Sequence, residues 1–353
     1  MNVGKNLAIT AIAVTLAALS ATAQAERVKW KMHSAWGSSV PHLGDSAWRF
    51  AENIGRMSGG DFVIKAYEPG ALIPANEGFD ATSKGSLEMA WTTAGYDTGK
   101  YPALAFFTAV PFGPSIGEYM AWMKFGGGNE LEAEIYGAHG IHEIDSLAIG
   151  PETSGWFKEE ITDLEQLRGL KMRFFGLGAR VMQKIGVSTQ LLAGGDIFPA
   201  LEKGVIDATE FSMPAMDIKY GFYQIAKNNY FPGWHQQVSV SHLLINKDKW
   251  DGLSDQNQAL IEIGAGESVM YVYAETEYVN PYAMVEMGEK YGVKTRRWRD
   301  DQIAVFEKAW NEVVAEDSAK DPIFKKVADS YFSFRKDYKK WGDAQSLKAT
   351  YLD

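Results

Sequence analysis

A chain of 353 residues is long enough for one large or two ordinary domains, and a hydrophobic fraction of 46% supports a sizeable core. The formal net charge of −10 argues against a nucleic-acid partner and against a polybasic membrane patch. The absence of cysteine excludes disulfides, zinc–thiolate centres and cysteine nucleophiles, while 11 Trp, 16 Tyr and 18 Phe are enough to furnish both a core and ligand-facing walls.

The N-terminus carries an export pattern. Lys5 precedes the apolar run Leu7–Leu19, and the small residues Ala23 and Ala25 follow, so residues 1–25 read as a signal peptide cleaved after Ala25. The apolar run is short for a membrane span. Val28–His33 alternates with period two and predicts a strand. Leu43, Ala47, Phe50, Ala51, Ile54 and Met57 make a helical stripe, and Phe62–Ala66 is the next strand. Strands separated by crossover helices define an α/β fold.

Thr82–Ala90 and Leu201–Thr209 echo one another. Each reads as a helix end, a Lys-Gly pair and an apolar–acid–apolar run into a strand, which suggests two similarly built lobes. Lobe I is expected over 26–150 and 238–253, and lobe II over 151–237. A spanning helix and lobe-completing segment is expected over 254–320, and a C-terminal helix over 321–353. Ser254 opens the long helix, which the pattern ends near Val279 with Pro281 at its boundary. Thr162–Glu165 has the form of a capping box before a short helix. In the last helix Phe324, Val327, Tyr331, Phe334, Tyr338 and Trp341 are spaced as a seam, able to close on its own chain or to clasp a second subunit.

Arg173 ends the predicted strand Leu170–Phe174, just before Gly176 and Gly178. A guanidinium there faces a crevice, and its planar fork suits a carboxylate. Glu210 and Phe211 end the strand Val205–Thr209, at the carboxyl edge where open α/β sheets bind ligands. The candidate aromatic walls are Trp36, Tyr96, Tyr101, Phe174, Phe211 and Trp234, with Trp36 and Tyr96 favoured for their glycine-bearing loops after strands. Catalytic signatures are weak. No zinc spacing pairs the six histidines with an acid on one helix, and there is no Gly-x-Ser-x-Gly elbow or phosphate loop.

The export signal, Gly169-Leu-Lys-Met-Arg-Phe174 and Gly194-Gly-Asp-Ile-Phe-Pro-Ala-Leu-Glu-Lys-Gly-Val-Ile-Asp-Ala208 together resemble the solute-binding proteins of TRAP (tripartite ATP-independent periplasmic) transporters, the DctP family. Gly150-Pro-Glu152 with Gly155-Trp-Phe157, Tyr230-Phe-Pro-Gly-Trp-His235 and the extended last helix resemble its α-keto-acid-binding, TakP-like branch. The resemblance implies a two-lobe periplasmic-binding-protein fold with crossover strands and a long lobe-spanning helix. It implies a last helix exchanged between the subunits of a homodimer, and delivery of the ligand to membrane permease subunits. Residue by residue, it makes Arg173 the holder of the ligand carboxylate and Glu210 and the Phe211 carbonyl metal ligands. The branch commonly has glutamine where this chain has Glu152, and tryptophan where it has Phe211.

Glu152, Glu210 and a ligand carboxylate would crowd three negative charges around one arginine, which a hard cation relieves. Two glutamates favour Ca2+ over Na+, with Glu152, Glu210 and Phe211 as its protein ligands. The expected function is periplasmic capture of a small organic carboxylate, a 2-oxo acid such as pyruvate or a 2-hydroxy acid such as lactate. Its contacts would be Arg173, Glu152, Trp36, Tyr96, Phe174, Phe211 and Trp234. Two alternatives remain: an aromatic or sulfonated acid in the same role, and a secreted glycosidase using Glu152 and Glu210 as its acid pair. Arg173→Ala is expected to abolish tight binding and leave the fold intact.

Overall fold

The computed structural model describes residues 27–346, so the export segment 1–25 lies outside the described residues. The strands are β1 (Val28–Ser34), β2 (Phe62–Tyr67), β3 (Met89–Thr92), β4 (Ile141–Ile149), β5 (Gly155–Phe157), β6 (Lys171–Arg173), β7 (Ser188–Gln190), β8 (Ala208–Thr209), β9 (Asn228–Phe231), β10 (Ser239–Asn246) and β11 (Lys294–Arg297). They form two sheets, ordered β2-β1-β3-β10-β4 and β11-β9-β5-β8-β6-β7. Each is the centre of one lobe, so the two-lobe α/β expectation holds.

In the first sheet β1 pairs in parallel with β2 and β3, and the helix Asp45–Met57 makes the β1-to-β2 crossover. Its stripe works as the spacing predicts, with Ala47, Phe50, Ala51 and Ile54 buried. Leu43 falls in the preceding turn, and Met57 is largely exposed. β10 inserts antiparallel between β3 and β4. The chain therefore leaves the first sheet after β4, builds most of the second, and returns through β10. The two passages, 150–154 and 232–238, lie side by side, with the Glu152 amide donating to the Gln236 carbonyl at 3.2 Å.

The echoed segments adopt one geometry. Gly85 and Gly204 both take left-handed conformations, φ 69° and 71°, directly after a helix, and each turn leads into a central strand, β3 or β8. Only glycine takes such angles without steric cost.

The long helix spans Asp255–Glu289, its first turn capped by the Ser254 side chain accepting from the Asn257 amide. It packs on β4 and the Asp45–Met57 helix in lobe I and on the helix Pro214–Tyr220 in lobe II. It does not stop near Val279. Pro281 removes one helical hydrogen bond, yet Ala283 and Met287 beyond it are buried, and packing outweighs the lost bond. The Asn280 side chain adds an anchor, accepting from the Ala215 amide at 3.0 Å. The short helix Leu164–Leu167 is capped one residue later than the sequence pattern indicates. Asp163 accepts from the Glu165 amide, and the Gln166 side chain closes the box in place of Glu165.

The last helix, Pro322–Gln345, starts from Asp321, whose carboxylate accepts from the amides of Ile323 and Phe324. The first half of its aromatic seam closes on its own chain. Phe324 and Tyr331 are fully buried, their rings 5.0 and 5.4 Å from Phe106, and Tyr331 is 5.1 Å from Trp122. Phe334 and Tyr338 are half-buried, their rings 6.1 Å apart, and at the end of the seam Trp341 is 60% exposed. Among the described residues no helix is long and apolar enough to cross a membrane.

Candidate functional site

Six backbone segments converge between the lobes. Trp36 follows β1, and Thr93 and Tyr96 follow β3. Glu152 and Gln236 lie on the two passages, and Arg173 with Phe175 and Phe211 come from the ends of β6 and β8. With Leu43, Ile149, Ser239 and Ser241 they line a small cavity of about 30 Å³. The lobes are closed on it. A methyl group on Gly95 of lobe I would lie 1.8 Å from the Phe175 ring of lobe II, and the Tyr96 and Phe175 rings meet edge to face at 6.2 Å.

Arg173 is 1% exposed, and protein groups fix its plane. Nε donates to the Leu192 carbonyl at 3.2 Å, and Nη1 donates to both the Glu210 carbonyl and Glu210 Oε1 at 2.9 Å. The rings of Phe211 and Phe175 flank the guanidinium, 5.2 and 5.7 Å from its carbon. Glu210 Oε1 also accepts from the Phe175 amide, which leaves Oε2 without a partner. Glu152 accepts from the Ser212 hydroxyl at 2.8 Å through Oε1. Gly233 lets the second passage approach, since a side-chain carbon there would sit 2.1 Å from the Glu152 carbonyl oxygen.

The sequence reading missed one ionisable group. His235 is 1% exposed, and its Nε2 stands 3.6 Å from Glu152 Oε2 and 3.7 Å from Glu210 Oε2. Burial works against its charge, but hydrogen bonding and attraction to the two carboxylates outweigh burial and push its pKa up to about 9. Glu152 is held above the usual carboxylate range by burial, with Glu210 adding repulsion. Glu210 sits below that range: burial opposes its charge, and Arg173 and His235 overcome it. Glu152, Glu210 and His235 each offer one atom within 4.8 Å of the others, a set able to hold a cation.

The remaining candidates separate into those at the cavity and those behind it. Trp36, Tyr96 and Phe211 line it. Phe174 and Trp234 do not: they form an aromatic layer behind His235, with Trp234 also stacked on Phe306 at 4.8 Å. Phe175 takes the wall position instead. Tyr101 packs against Phe79 and His139 in lobe I. Ser239 and Ser241 also reach the cavity. Their period-two spacing on β10 is the signal that would have found them.

A second acid–histidine group, Glu132, Asp145 and His242, lies in lobe I, its two acids lining a cavity of about 900 Å³. There His242 Nδ1 accepts from the Ala94 amide at 3.3 Å, which puts the ring proton on Nε2, 2.8 Å from Glu132 Oε1. A protonated nitrogen has no lone pair for a metal, and Lys124 balances Asp145 at 3.2 Å, so this group is a buried ion-pair cluster.

The family model for bacterial extracellular solute-binding proteins, family 7 (DctP), matches residues 33–321. The chain is 32% identical over 320 residues to a monocarboxylate 2-oxoacid-binding periplasmic protein of Nostoc sp., covering 91% of this chain and 87% of that one. A TRAP transporter solute-binding protein of Bordetella bronchiseptica superposes with a TM-score of 0.87 at 32% identity, covering 90% of this chain and 94% of that one. It is described as a mixed-occupancy dimer with calcium and picolinate in the bound site. A TRAP periplasmic solute-binding protein of Pseudoalteromonas atlantica, with sodium and pyruvate bound, superposes with a TM-score of 0.86 at 28% identity, covering 91% and 100%. With this fold, this family model and these relatives, the chain belongs to the DctP family, the periplasmic and non-catalytic solute receptors of TRAP transporters.

Proposed function

We propose that this receptor captures a small monocarboxylic acid with a second donor atom beside its carboxylate, as in 2-oxo and 2-hydroxy acids, and hands it to membrane permease subunits. The observation that carries this reading is Arg173, a fully buried guanidinium with Nε and Nη1 held by protein and Nη2 left without a partner among the described residues, in a cavity of about 30 Å³. A cavity of about 30 Å³ has room for little more than water, so the acid enters by parting the lobes, and the donor groups rather than the volume indicate its class. Picolinate and pyruvate, the relatives' ligands, share the carboxylate with an adjacent donor.

Such an acid can chelate a cation through two atoms while Arg173 takes a carboxylate oxygen. Glu152 and Glu210, each with one oxygen fixed by protein, are the residues that would hold the cation, and the family resemblance adds the Phe211 carbonyl. The cation supplies the positive charge that lets a third carboxylate enter. Trp36, Tyr96, Phe175 and Phe211 exclude water, which strengthens every polar contact inside. Closure then presents a joined two-lobe surface to the permease.

The same reading includes export through removal of residues 1–25 and pairing of two chains through the last helix. Support for pairing comes from Trp341 and from Ile263, Met270, Tyr278 and Tyr282, exposed along the long helix.

The test is calorimetric titration of the mature chain with pyruvate, lactate, picolinate and an aromatic sulfonate, with and without Ca2+ or Na+. Cation-dependent binding of the first three, with the sulfonate silent, is the expected result. A sulfonate that outcompetes pyruvate would replace the ligand class.

A further inference from the structure

We infer that the hydroxyls of Thr93, Thr108 and Ser239 form a reversible relay that meets the 2-oxygen of the acid, so that one site takes 2-oxo and 2-hydroxy acids alike. This rests on the ligand class proposed above and deepens it by naming the residues that recognise the substituent.

The three side chains are buried and lie in a row. Thr93 Oγ1 is 3.0 Å from Thr108 Oγ1, which is 3.0 Å from Ser239 Oγ. Both are hydrogen-bond distances, and either atom of each pair can be the donor. Thr93 and Ser239, the ends of the row, line the inter-lobe cavity and belong to lobe I, whereas Arg173 reaches the same cavity from lobe II. Thr108 is fully buried, and backbone pairing fixes it beside Ser239. Ala109 bridges Ser239, and the Val240 amide donates to the Thr108 carbonyl at 3.4 Å.

The hydrogens limit what the row can do. A hydroxyl has one hydrogen and two lone pairs. Among the described residues Thr108 Oγ1 has only its two hydroxyl neighbours as partners. If it accepted from both, its own hydrogen would be buried without an acceptor, which is costly. It therefore accepts from one and donates to the other. With the hydrogens running from Thr93 to Ser239, Ser239 has its hydrogen free and offers the cavity a donor. With the run reversed, Ser239 offers a lone pair. The Gly95 amide donates to Thr93 Oγ1 at 3.3 Å and is compatible with both runs, because Thr93 keeps a second lone pair. Ser239 Oγ has no partner but Thr108 among the described residues, so it is the end free to meet the acid. Reversal rotates hydroxyl hydrogens and moves no heavy atom.

A 2-oxo acid needs a donor at its 2-oxygen, and a 2-hydroxy acid needs an acceptor for its hydrogen. This holds where the oxygen also meets a cation, since the keto oxygen keeps a second lone pair and the hydroxyl keeps its hydrogen. A fixed donor or a fixed acceptor would serve one acid and leave the other facing a like group, which separates such pairs by large factors. The relay serves both by reversing.

The test is calorimetry of the mature chain, in buffer containing Ca2+ and Na+, with pyruvate and the better-bound enantiomer of lactate. In the wild type the two affinities should lie within about tenfold of each other, and a ratio above about 100-fold in either direction overturns the inference without any variant. Thr108→Val keeps the shape of the side chain and removes the hydroxyl. Ser239 then still donates to pyruvate, but when it accepts from lactate its own hydrogen has no acceptor. Lactate should weaken by about tenfold or more and pyruvate by less than about threefold, while Ser239→Ala should weaken both by about tenfold. Equal losses in Thr108→Val, or unchanged affinities in Ser239→Ala, overturn the inference and leave the ligand class standing. If Thr108→Val does not fold, the wild-type ratio and Ser239→Ala decide. A wild type that binds neither acid removes the ligand class itself, and the relay with it.

Discussion

Arg173 and Glu210 form a buried ion pair, Nη1 to Oε1 at 2.9 Å, with both side chains at most 2% exposed. The arginine that would meet the ligand therefore also neutralises the carboxylate beside the cation position. Arg173→Ala is not the clean binding variant expected from the sequence alone. Leaving Glu210 buried without its partner costs about 3–5 kcal/mol. Arg173→Lys keeps the charge and loses the fork, so acid affinity should fall roughly 30-fold or more with a much smaller loss of stability. Calorimetry with parallel thermal melts separates the two effects.

Glu152→Gln replaces a charged oxygen donor with a neutral one and retains an acceptor for Ser212. Burial raises the Glu152 pKa, so its charge is costly in the empty site. The variant should be more stable than the wild type at pH 8 and should bind a divalent cation about tenfold or more weakly. Melts of stripped protein and cation titrations check the two parts.

Gly95 faces Phe175 across the closed lobes with no space for a side chain, the added carbon falling 1.8 Å from the ring. Gly95→Ala should hinder closure, lower acid affinity by about tenfold, and leave the ligand-free melting temperature nearly unchanged. Phe175→Leu in the same chain should restore part of the affinity. Small-angle scattering with and without ligand should show reduced compaction in the single variant.

Asp97, behind the Tyr96 wall, is pushed by burial from 3.8 up to about 7. Between these values the folded chain keeps a proton that the unfolded chain has released. Stability contributed by the neutral form is therefore complete below about pH 4 and lost as pH rises through about 7, with an upper bound of about 4 kcal/mol. Asp97→Asn should raise the melting temperature at pH 8 and change it little at pH 4. Equal effects at both pH values would contradict the assignment.

Trp341 is exposed at the end of a seam whose first half is fully buried. If two chains pair through this helix, Trp341→Glu should weaken the dimer by about tenfold or more without affecting the monomer core. Sedimentation velocity across a concentration series measures this, and an unchanged association constant would remove the helix from the interface.

Much of the fold was legible because its signals are local. The stripe from Ala47 to Ile54, the Lys-Gly helix ends and the serine cap of the long helix each act within a few residues. Arg173 and Glu210 were legible because polar residues closing apolar strands need a buried partner, and they proved to be each other's. His235 was not. A lone histidine carries no spacing signal, and its meaning comes from Glu152 and Glu210, 83 and 25 positions earlier in the numbering. Phe174 and Phe175 could not be told apart because the backbone turns just after Arg173, where strand alternation no longer determines direction. Pro281 misled for a related reason: its local cost is real, and burial of Ala283 and Met287 exceeds it.

Glu152 and His235 lie on the two passages that connect the lobes, whereas Trp36 and Tyr96 belong to one lobe and Phe175 and Phe211 to the other. A rotation that parts the lobes moves the aromatic walls furthest and the residues on its axle least. Of the three groups that could hold an ion, Glu152 and His235 thus stay near the axle, whereas Glu210 moves with lobe II. Under the proposed function, opening should therefore loosen the acid's walls before it parts Glu152 from His235.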